Sequence, residues 1–277
     1  MTNGRSASPI EGLRYRSAAA RRLAVVDLVQ RHGFCRITDL SDQLGVSRIT
    51  VRRDVAQLET DNLVRSAHGG VIAPVQPGPG THFALRSGSH AEAKRAIANK
   101  AIEYVSAQPR QLLGIDAGTT GFEAARLLAP ETPLKVITHS LPVMMELAER
   151  PRVEVVGIGG VLHPETQAFA GPSTVTGYAR LRIGTLLLTA SAVRNGVMYC
   201  GNAFDADTKR QMMAIADEVV LLVDASKFKS VAPFQVADLS SVTTVIVDHE
   251  TSADLRRDLE QRGLTVVVAD PPGAASR

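Results

Sequence analysis

The sequence contains little that would support a disulfide-stabilised, membrane-bound or nucleotide-dependent protein. Its two cysteines, Cys35 and Cys200, lie far apart and form neither a CxxC pair nor a metal-ligand cluster, so we expect no disulfide framework and no metal site. No apolar run approaches the length of a membrane span and the first residues lack an apolar signal region, so we expect a cytoplasmic protein without a membrane partner. Neither G-x-G-x-x-G nor G-x-x-x-x-G-K-[ST] is present, which argues against NAD and ATP, and we expect no cofactor.

The charge of the chain is unevenly distributed. The 277 residues carry a net charge of +3. Residues 1–72 contain 11 arginines and no lysine against 7 acidic residues, whereas the remainder contains 20 basic and 21 acidic residues. A basic first quarter joined to a nearly neutral body is typical of a module that faces phosphates and is attached to a separate domain.

Residues 38–71 have the pattern of two short helices, a tight turn and a small β-hairpin. We expect Thr38 and Ser47 to cap the two helices, because a hydroxyl at a helix start can accept a hydrogen bond from a free backbone amide. Gly45 lies between the helices, where the chain must turn tightly. This order is typical of a winged helix-turn-helix, which places its second helix in a DNA groove.

The second helix is predicted to be apolar on one face and basic on the other. At about 100° per residue, Val51, Val55 and Leu58 fall on one narrow face that can pack on the preceding helices. Arginine suits the opposite face, because its planar guanidinium group can donate two hydrogen bonds to guanine or to a phosphate. A solvated arginine-rich face is the alternative for any single arginine. The predicted DNA contacts of this helix are Arg48, Ile49, Thr50, Arg52 and Arg53.

Two short β-prone runs follow this helix on either side of a glycine-containing turn. They predict a wing, with Arg65 and His68 placed to touch the DNA backbone. For His68, an ordinary surface histidine is the alternative.

Beyond Ala73 the composition changes, and apolar β-branched runs alternate with helical patterns. The segment PVQPGPG can sustain neither helix nor strand, so it predicts a linker. The alternation predicts an α/β domain around a mostly parallel sheet. We therefore expect a flexible tail at 1–16, a winged helix-turn-helix at 17–72, a linker at 73–89 and an effector-sensing and oligomerisation domain at 90–270. The predicted strands are Leu112–Ile115, Leu134–Thr138, Val153–Ile158, Thr185–Thr189, Val219–Val223, Thr243–Val247 and Leu264–Val268.

Polar residues follow several of these strands, at the edge where open α/β sheets bind ligands. After the first strand, Gly118 allows unusual backbone angles, and the helix-start amides with the hydroxyls of Thr119 and Thr120 form a cradle for an anion. Lysines and carboxylates nearby suit a phosphorylated polyol. Each feature alone is equally compatible with a turn or a cap. The predicted effector contacts are Asp116, Gly118, Thr119, Thr120, His139, Ser140, Gly159, Gly160, Asp205, Asp207, Lys209 and Lys227.

These motifs resemble those of the DeoR family of transcriptional regulators. The run SRITVRRDVAQLETDNLVRSAHGGV is similar to the DeoR-type helix-turn-helix signature, and DAGTT, THS, GGVL, NAFDADTKR and DASKF are similar to elements of the DeoR-type sensor domain. The resemblance covers roughly Arg21 to Asp248. It implies a sensor fold similar to ribose-phosphate isomerase and glucosamine-phosphate deaminase, a pocket for a phosphorylated sugar, and repression of a carbohydrate operon.

The chain departs from the family pattern at the sugar end of the implied pocket. The family usually has G-A-D-G where this chain has Thr189-Ala190-Ser191-Ala192, so a carboxylate is missing at Ser191. His139 replaces an asparagine, Asp205 and Asp207 replace glutamates, and Lys229 replaces a glycine. The phosphate end is retained while the sugar end is altered.

We therefore expect a repressor that binds a double-stranded DNA operator and is modulated by a phosphorylated small molecule. A small head makes few base contacts, so we expect a homo-oligomer, dimer or tetramer, on repeated half-sites. One alternative is a sugar-phosphate isomerase or deaminase with a DNA-binding head. The missing carboxylate at Ser191 argues against it, since proton transfer between carbons needs a positioned base, and we expect no catalytic residues. A second alternative is a constitutive DNA-binding protein whose large domain serves only for oligomerisation.

Overall fold

The computed structural model describes residues 18–32, 34–60, 64–67, 69–72, 83–107, 112–129 and 133–271. The chain forms two compact units, Met1–Gln76 and Pro77–Arg277. The predicted tail at 1–16 and residues 73–82 of the predicted linker lie outside the described residues.

The first unit is a winged helix-turn-helix, as predicted. The wing strands β2 and β3 are antiparallel, and β1, which the sequence pattern did not predict, pairs with β3 to give the order β1-β3-β2. Gly45 adopts a left-handed conformation with φ of 64° after the first helix of the motif, which supplies the tight turn. The elements are α1 (Ala18–His32), β1 (Phe34–Arg36), α2 (Ile37–Leu44), α3 (Arg48–Thr60), β2 (Arg65–Ala67) and β3 (Gly70–Ile72).

The core of this unit confirms the predicted apolar face of α3. Its Val51, Val55 and Leu58 are buried against α1 and α2, and one cluster contains Val25, Val29, Leu40, Leu44, Val51, Val55, Leu58, Val64 and Val71. Ser47 accepts a hydrogen bond from the amide of Thr50 at 3.2 Å, as expected of a cap. The prediction for Thr38 was wrong, because α2 already begins at Ile37 and the hydroxyl of Thr38 donates instead to Asp39 at 3.1 Å.

The second unit begins with a short helix inside the predicted linker. This helix, α4 (Phe83–Gly88), forms there because Phe83 is buried with its ring edge-on to that of Phe122, 5.6 Å between centroids. The other helices are α5 (Ala91–Ser106), α6 (Thr119–Leu127), α7 (Leu141–Ala148), α8 (Pro172–Tyr178), α9 (Ala203–Ala214) and α10 (Ala253–Gln261). The strands are β4 (Leu112–Ile115), β5 (Leu134–Thr138), β6 (Val153–Gly157), β7 (Val161–His163), β8 (Ala168–Ala170), β9 (Ile183–Thr189), β10 (Ala192–Arg194), β11 (Val197–Cys200), β12 (Ala216–Val223), β13 (Phe234–Asp238), β14 (Thr244–Val247) and β15 (Thr265–Val268).

The seven predicted strands together form the central sheet of this unit. The sheet is parallel throughout and has the order β15-β14-β12-β9-β4-β5-β6. The chain starts at β4, proceeds outward to β6, and then returns to β9 on the other side of β4. Strand order therefore reverses between β4 and β9, and such a switch point opens a crevice at the carboxyl ends of the strands.

Helices cover both faces of the sheet. Alternate residues of β9 point to opposite faces, so Leu187 packs under α5, α6 and α7, whereas Leu186 and Leu188 pack towards α8, α9 and α10. A small antiparallel sheet, β10-β11-β13, lies on the second of these faces, and β7 and β8 form a separate hairpin. Within the described residues, no helix is long and apolar enough to cross a membrane.

Candidate functional site

The predicted DNA-facing surface of α3 is exposed. Ile49 is 80% exposed, an unusual value for a large apolar side chain, and Arg52 and Arg53 are exposed beside it. Arg48 is exposed at the start of the same helix, and Thr50 is half-buried with its hydroxyl 2.9 Å from that of Ser47. The buried face therefore fixes the helix while the opposite face presents arginines and one isoleucine.

The wing is attached to the end of α3 by one carboxylate. Glu59 accepts hydrogen bonds from the amide of Ser66 at 2.5 Å and from its hydroxyl at 2.8 Å. These hydrogen bonds, with a smaller contribution from the charge of Arg65, lower the pKa of Glu59. Arg65 is exposed next to this anchor, whereas His68 lies outside the described residues.

A partly buried ion pair that the sequence reasoning did not identify holds α3 against α1. Asp54 is buried on α3, and both its carboxylate oxygens receive hydrogen bonds from Arg21, from Nε at 2.5 Å and from the second guanidinium nitrogen at 3.1 Å. This hydrogen bonding raises the pKa of Arg21 above its ordinary value. The pair orients α3 and thereby the arginines on its exposed face.

In the second unit, a buried carboxylate lies at the switch point of the sheet. Asp116 follows β4, and one oxygen, Oδ2, accepts hydrogen bonds from the amide of Thr189 at 3.1 Å, from the hydroxyl of Thr189 and from the ammonium of Lys209. Asp116 is 0% exposed, and within the described residues no donor reaches its other oxygen, Oδ1. Such an unpaired buried acceptor is unusual in a folded protein, and this oxygen is free to accept a further hydrogen bond.

Lys209 carries a fixed positive charge between two carboxylates. It reaches from α9 to Asp116 and lies 3.4 Å from Oδ1 of Asp205, one helical turn earlier. Burial alone would lower the pKa of Lys209, but the negative charges of Asp116 and Asp205 outweigh it and raise that pKa. Burial likewise opposes ionisation of Asp116, yet Lys209 and the surrounding donors hold the pKa of Asp116 below its ordinary value. Both groups are therefore charged at neutral pH.

His139 is buried beside this pair and is held by a tyrosine. Its Nδ1 lies 3.0 Å from the hydroxyl of Tyr178, and the two rings meet edge-on at 5.8 Å. Burial lowers the pKa of His139 and raises that of Tyr178, so both are neutral near pH 7. A neutral imidazole offers one donor and one acceptor nitrogen, which suits a hydroxyl ligand.

Three of these residues offer a donor set that could hold a metal ion. One ligand atom each from Asp116, His139 and Asp205 lies within 4.8 Å of the others. The ammonium of Lys209, however, already lies against both carboxylates, and its charge opposes a divalent cation there. The expectation of no metal site remains a prediction.

The loop before α6 differs from expectation in one respect. The backbone of Gly118 is ordinary, with φ of −74° and ψ of 153°, so the position does not require unusual angles. Glycine is required there by close packing, because a Cβ would lie 2.6 Å from Cβ of Thr189. Thr119 and Thr120 are buried in the first turn of α6, and no side chain at the N-cap accepts a hydrogen bond from that turn. The backbone amides of the first turn of α6 are therefore suited to donate hydrogen bonds to an anion.

Two cationic residues that the sequence reasoning missed lie near this loop. Lys94, on α5, is buried, and burial lowers its pKa to about 8, assisted by the charges of Lys227 and Arg86. Burial also lowers the pKa of Arg86 on α4, whereas Asp205 and Asp116 act to raise it. Lys94 was detectable in principle, because it occupies the same helical stripe as the buried Ile97 and Ala101.

Asp224 and Lys227 extend the charged cluster to β12. Asp224 follows this strand, is buried, and caps the next short turn by accepting from the amide of Ser226 at 2.9 Å. Its second oxygen has no hydrogen-bond donor among the described residues, although the ammonium of Lys227 lies 3.7 Å away. The charged cluster thus contains four cations, Lys94, Arg86, Lys209 and Lys227, and two incompletely paired carboxylates, those of Asp116 and Asp224.

Other predicted contacts lie elsewhere or have structural roles. Asp207 points away from the cluster, on the exposed face of α9, and pairs with Arg210 at 2.5 Å. The structure does not bring it to the site, because two residues along a helix correspond to about 200° of rotation from Asp205. Ser140 is buried and caps α7, accepting from an amide at 3.4 Å. Gly159 and Gly160 are exposed after β6, and Thr174 donates to the carbonyl of Gly159 at 2.9 Å.

Comparison with known families gives two matches that together span most of the chain. A model of the DeoR-like helix-turn-helix domain matches residues 21–76. A model of the DeoR C-terminal sensor domain matches residues 89–249.

Several curated proteins are similar along nearly their whole length. The L-fucose operon activator of Haemophilus influenzae is 30% identical over 245 residues, covering 88% of this chain and 97% of that protein. The regulator GlpR of Haloferax volcanii is 33% identical, covering 90% and 97%. A putative aga operon transcriptional repressor of Escherichia coli O157:H7 is 28% identical, covering 92% and 95%. Among solved structures, ribose 5-phosphate isomerase from Methanocaldococcus jannaschii is 16% identical with a TM-score of 0.36, covering 50% of this chain and 55% of that one.

Proposed function

We propose, from the premise that this chain belongs to the DeoR family of transcriptional regulators, that it represses a carbohydrate-metabolism operon and is modulated by a phosphorylated sugar. The observation that carries the effector proposal is the site at the switch point. There, Asp116 has an unpaired carboxylate oxygen, α6 begins without a side-chain cap, and the cations Lys94, Arg86 and Lys227 belong to the charged cluster around them. The curated relatives include both activators and repressors of sugar operons, so the sign of regulation is part of the proposal.

Operator binding is assigned to the exposed face of α3 and to the wing. Arg52 and Arg53 are placed for base or phosphate contacts, and Ile49 suits the methyl group of thymine. Arg65 on the wing is assigned a backbone contact. A homo-oligomer, dimer or tetramer, would place two such heads on repeated half-sites.

In the effector site, the phosphate is assigned to the amides of Thr119 and Thr120, with Lys94, Arg86 and Lys227 supplying the positive charge. A helix N-terminus carries a partial positive charge and free amides, and the buried Lys94 with the half-buried Arg86 and Lys227 adds to its attraction for a dianion. The hydroxyl groups of the sugar are assigned to Asp116 Oδ1 and to His139, with Asp205 nearby. Ser191 supplies no carboxylate at this end.

Calorimetric titration of matched phosphorylated and free sugars tests this assignment. We expect the free sugar to bind at least tenfold more weakly, because it leaves the amides and cations facing water, and we expect Thr119→Ala to weaken binding of the phosphorylated sugar. The matched control is Thr166→Ala, which removes a half-buried hydroxyl in the hairpin β7–β8. Equal affinity for both sugars, or no loss in Thr119→Ala, would show that the loop is only a turn.

A gel-shift assay at fixed salt with DNA from the flanking genes tests the regulatory role. Release of the DNA by the sugar phosphate that binds in calorimetry is the expected result. If the bound sugar phosphate leaves DNA affinity unchanged, the second unit is not a sensor.

A further inference from the structure

The helix α4 is held in place by contacts that converge on the proposed effector site. The ammonium of Lys94 donates to the carbonyl of Arg86 and, at 2.6 Å, to that of Ser89, so it caps the carboxyl end of α4. At the other end, the amide of Phe83 donates to the carbonyl of Glu165 at 2.7 Å. Since the last carbonyls of a helix lack partners within the helix, Lys94 stabilises α4 directly.

The same helix carries a cation into the site. Arg86 lies on α4 with its guanidinium carbon 5.8 Å above the ring of Phe83. The charges of Asp116 and Asp205 both act on Arg86. The position of α4 is therefore coupled to the charge balance of the site through Arg86, and to the phosphate end through Lys94.

We propose that α4 is the element that couples effector occupancy to DNA binding. This inference rests on the proposed function, because it concerns the regulation of that site. A bound phosphate competes with two backbone carbonyls for the ammonium of Lys94 and attracts Arg86, so the position of α4 differs between the bound and free states. Phe83, its first residue, is the first described residue of the second unit, so α4 is the described element of that unit nearest in the chain to the DNA-binding unit.

The physical requirement for such coupling is an effector that binds one state better than the other. Lys94 provides this difference in effector affinity, because its three N–H donors are shared between the carboxyl end of α4 and the anion. A ligand contacting only Asp116 and His139 would meet the same groups with α4 in either position. The phosphate, rather than the sugar, thus carries the regulatory signal.

Two variants weaken the docking of α4 and replace no polar group of the site, although Phe83→Leu also removes the ring over which Arg86 lies. Phe83→Leu and Phe122→Leu each remove the ring-on-ring contact and retain apolar volume. Leu85→Ala is the matched control, because Leu85 lies on the same helix and is 43% exposed. Each protein is measured as the full chain.

Hydrogen exchange of residues 83–89 with inorganic phosphate as the probe is the first measurement. In wild type and in Leu85→Ala, we expect saturating phosphate to change the exchange of these amides by at least about threefold. The second measurement is DNA affinity with and without the sugar phosphate that binds most tightly in calorimetry. Coupling of roughly tenfold is typical of allosteric proteins, and we expect it in wild type and in the control but less than about twofold in both leucine variants.

The outcomes separate this inference from the function on which it rests. If neither inorganic phosphate nor any sugar phosphate binds, the proposed function is wrong and the inference falls with it. If the ligand binds and shifts DNA affinity equally in wild type and the leucine variants, the sensor function stands and α4 is not the coupling element. Unchanged exchange of residues 83–89 in phosphate-bound wild type would also overturn it.

Discussion

The ammonium of Lys94 gives the proposed phosphate site a pH dependence whose direction follows from its surroundings. Burial, reinforced by the positive charges of Lys227 and Arg86, lowers the pKa of Lys94 to about 8, although Asp224 and Glu123 oppose the shift. A phosphate prefers the protonated amine, and the phosphate of a sugar phosphate is already mostly a dianion above pH 7, because the second pKa of a phosphate monoester is about 6. We therefore expect the affinity for a sugar phosphate to fall as the pH rises from 7 to 9.

The size of the effect follows from the protonated fraction. With a pKa of about 8, Lys94 is about 90% protonated at pH 7 and about 10% protonated at pH 9. If only the protonated form binds, affinity falls about tenfold over this range, or about 1.4 kcal/mol. The pKa of His139 is lowered and that of Lys209 is raised, so both pKa values move away from the range between pH 7 and pH 9.

The stability of the folded protein should respond to Lys94 in the opposite direction. The pKa of Lys94 is lowered from 10.5 to about 8 on folding, so between these values the unfolded chain binds more protons than the folded chain. Stability rises with pH wherever the unfolded state binds more protons. The contribution of Lys94 to stability therefore increases from about pH 8 to pH 10.5 while phosphate affinity declines.

The assay is calorimetric titration, at pH 7, 8 and 9 and constant ionic strength, of the sugar phosphate that binds most tightly at pH 7. Lys94→Met should bind more weakly at pH 7 and lose most of the decline, whereas Lys229→Met, which removes an exposed lysine, should behave as wild type. A wild-type affinity that is constant from pH 7 to pH 9, or a decline that persists in Lys94→Met, would refute the placement of the phosphate at this lysine.

Three further predictions concern the DNA-binding unit and the loop before α6. Arg52→Ala or Arg53→Ala should weaken operator binding by roughly 1–3 kcal/mol per lost base contact in gel shifts, with the fold unchanged. Asp54→Ala should lower the free energy of unfolding of the first unit by about 3 kcal/mol in denaturant titrations, because it leaves the partly buried guanidinium of Arg21 unpaired. Gly118→Ala should destabilise the second unit by about 1–3 kcal/mol through overpacking on Thr189.

Each of these has a matched control. Arg257→Ala removes an exposed arginine of the second unit and should leave operator affinity unchanged; equal affinities in all three arginine variants would refute the groove placement. Asp42→Ala, at an exposed position, should retain stability, and a loss as large as that of Asp54→Ala would contradict the role of the ion pair. Gly88→Ala, where an added Cβ has no neighbour within 4 Å, should retain stability, and a loss as large as that of Gly118→Ala would contradict the overpacking on Thr189.

The sequence predicted the elements of the second unit better than their arrangement. All seven apolar runs became strands of the central sheet, because a strand buried on both faces is a continuous apolar run. Strand order was not predictable, since it depends on which way each crossover returns. The hairpin β7–β8 was missed because its strands are three residues long and carry no periodic pattern.

Within the candidate site, residues at strand ends were predicted and residues on neighbouring helices were not. Asp116 and His139 follow strands directly, and the carboxyl ends of parallel strands meet at one edge. Arg86 could not be predicted, because it lies in a segment interpreted as linker and reaches the cluster only through tertiary packing of α4. Asp207 shows the converse: its residue type suited the site, but helix geometry turned it to the exposed face.

The two buried lysines of the site differ in a way that the proposed coupling requires. Lys209 lies between the carboxylates of Asp116 and Asp205, so its pKa is raised and its charge is constant. Lys94 instead donates to backbone carbonyls, and burial, followed by the charges of nearby cations, lowers its pKa to about 8, so its charge is incompletely compensated. An anion therefore gains little from Lys209, which is already neutralised, and much from Lys94. Lys94 also caps α4 through its hydrogen bonds to backbone carbonyls. In the proposed mechanism, the anion attracts Lys94 most strongly and therefore disturbs these hydrogen bonds.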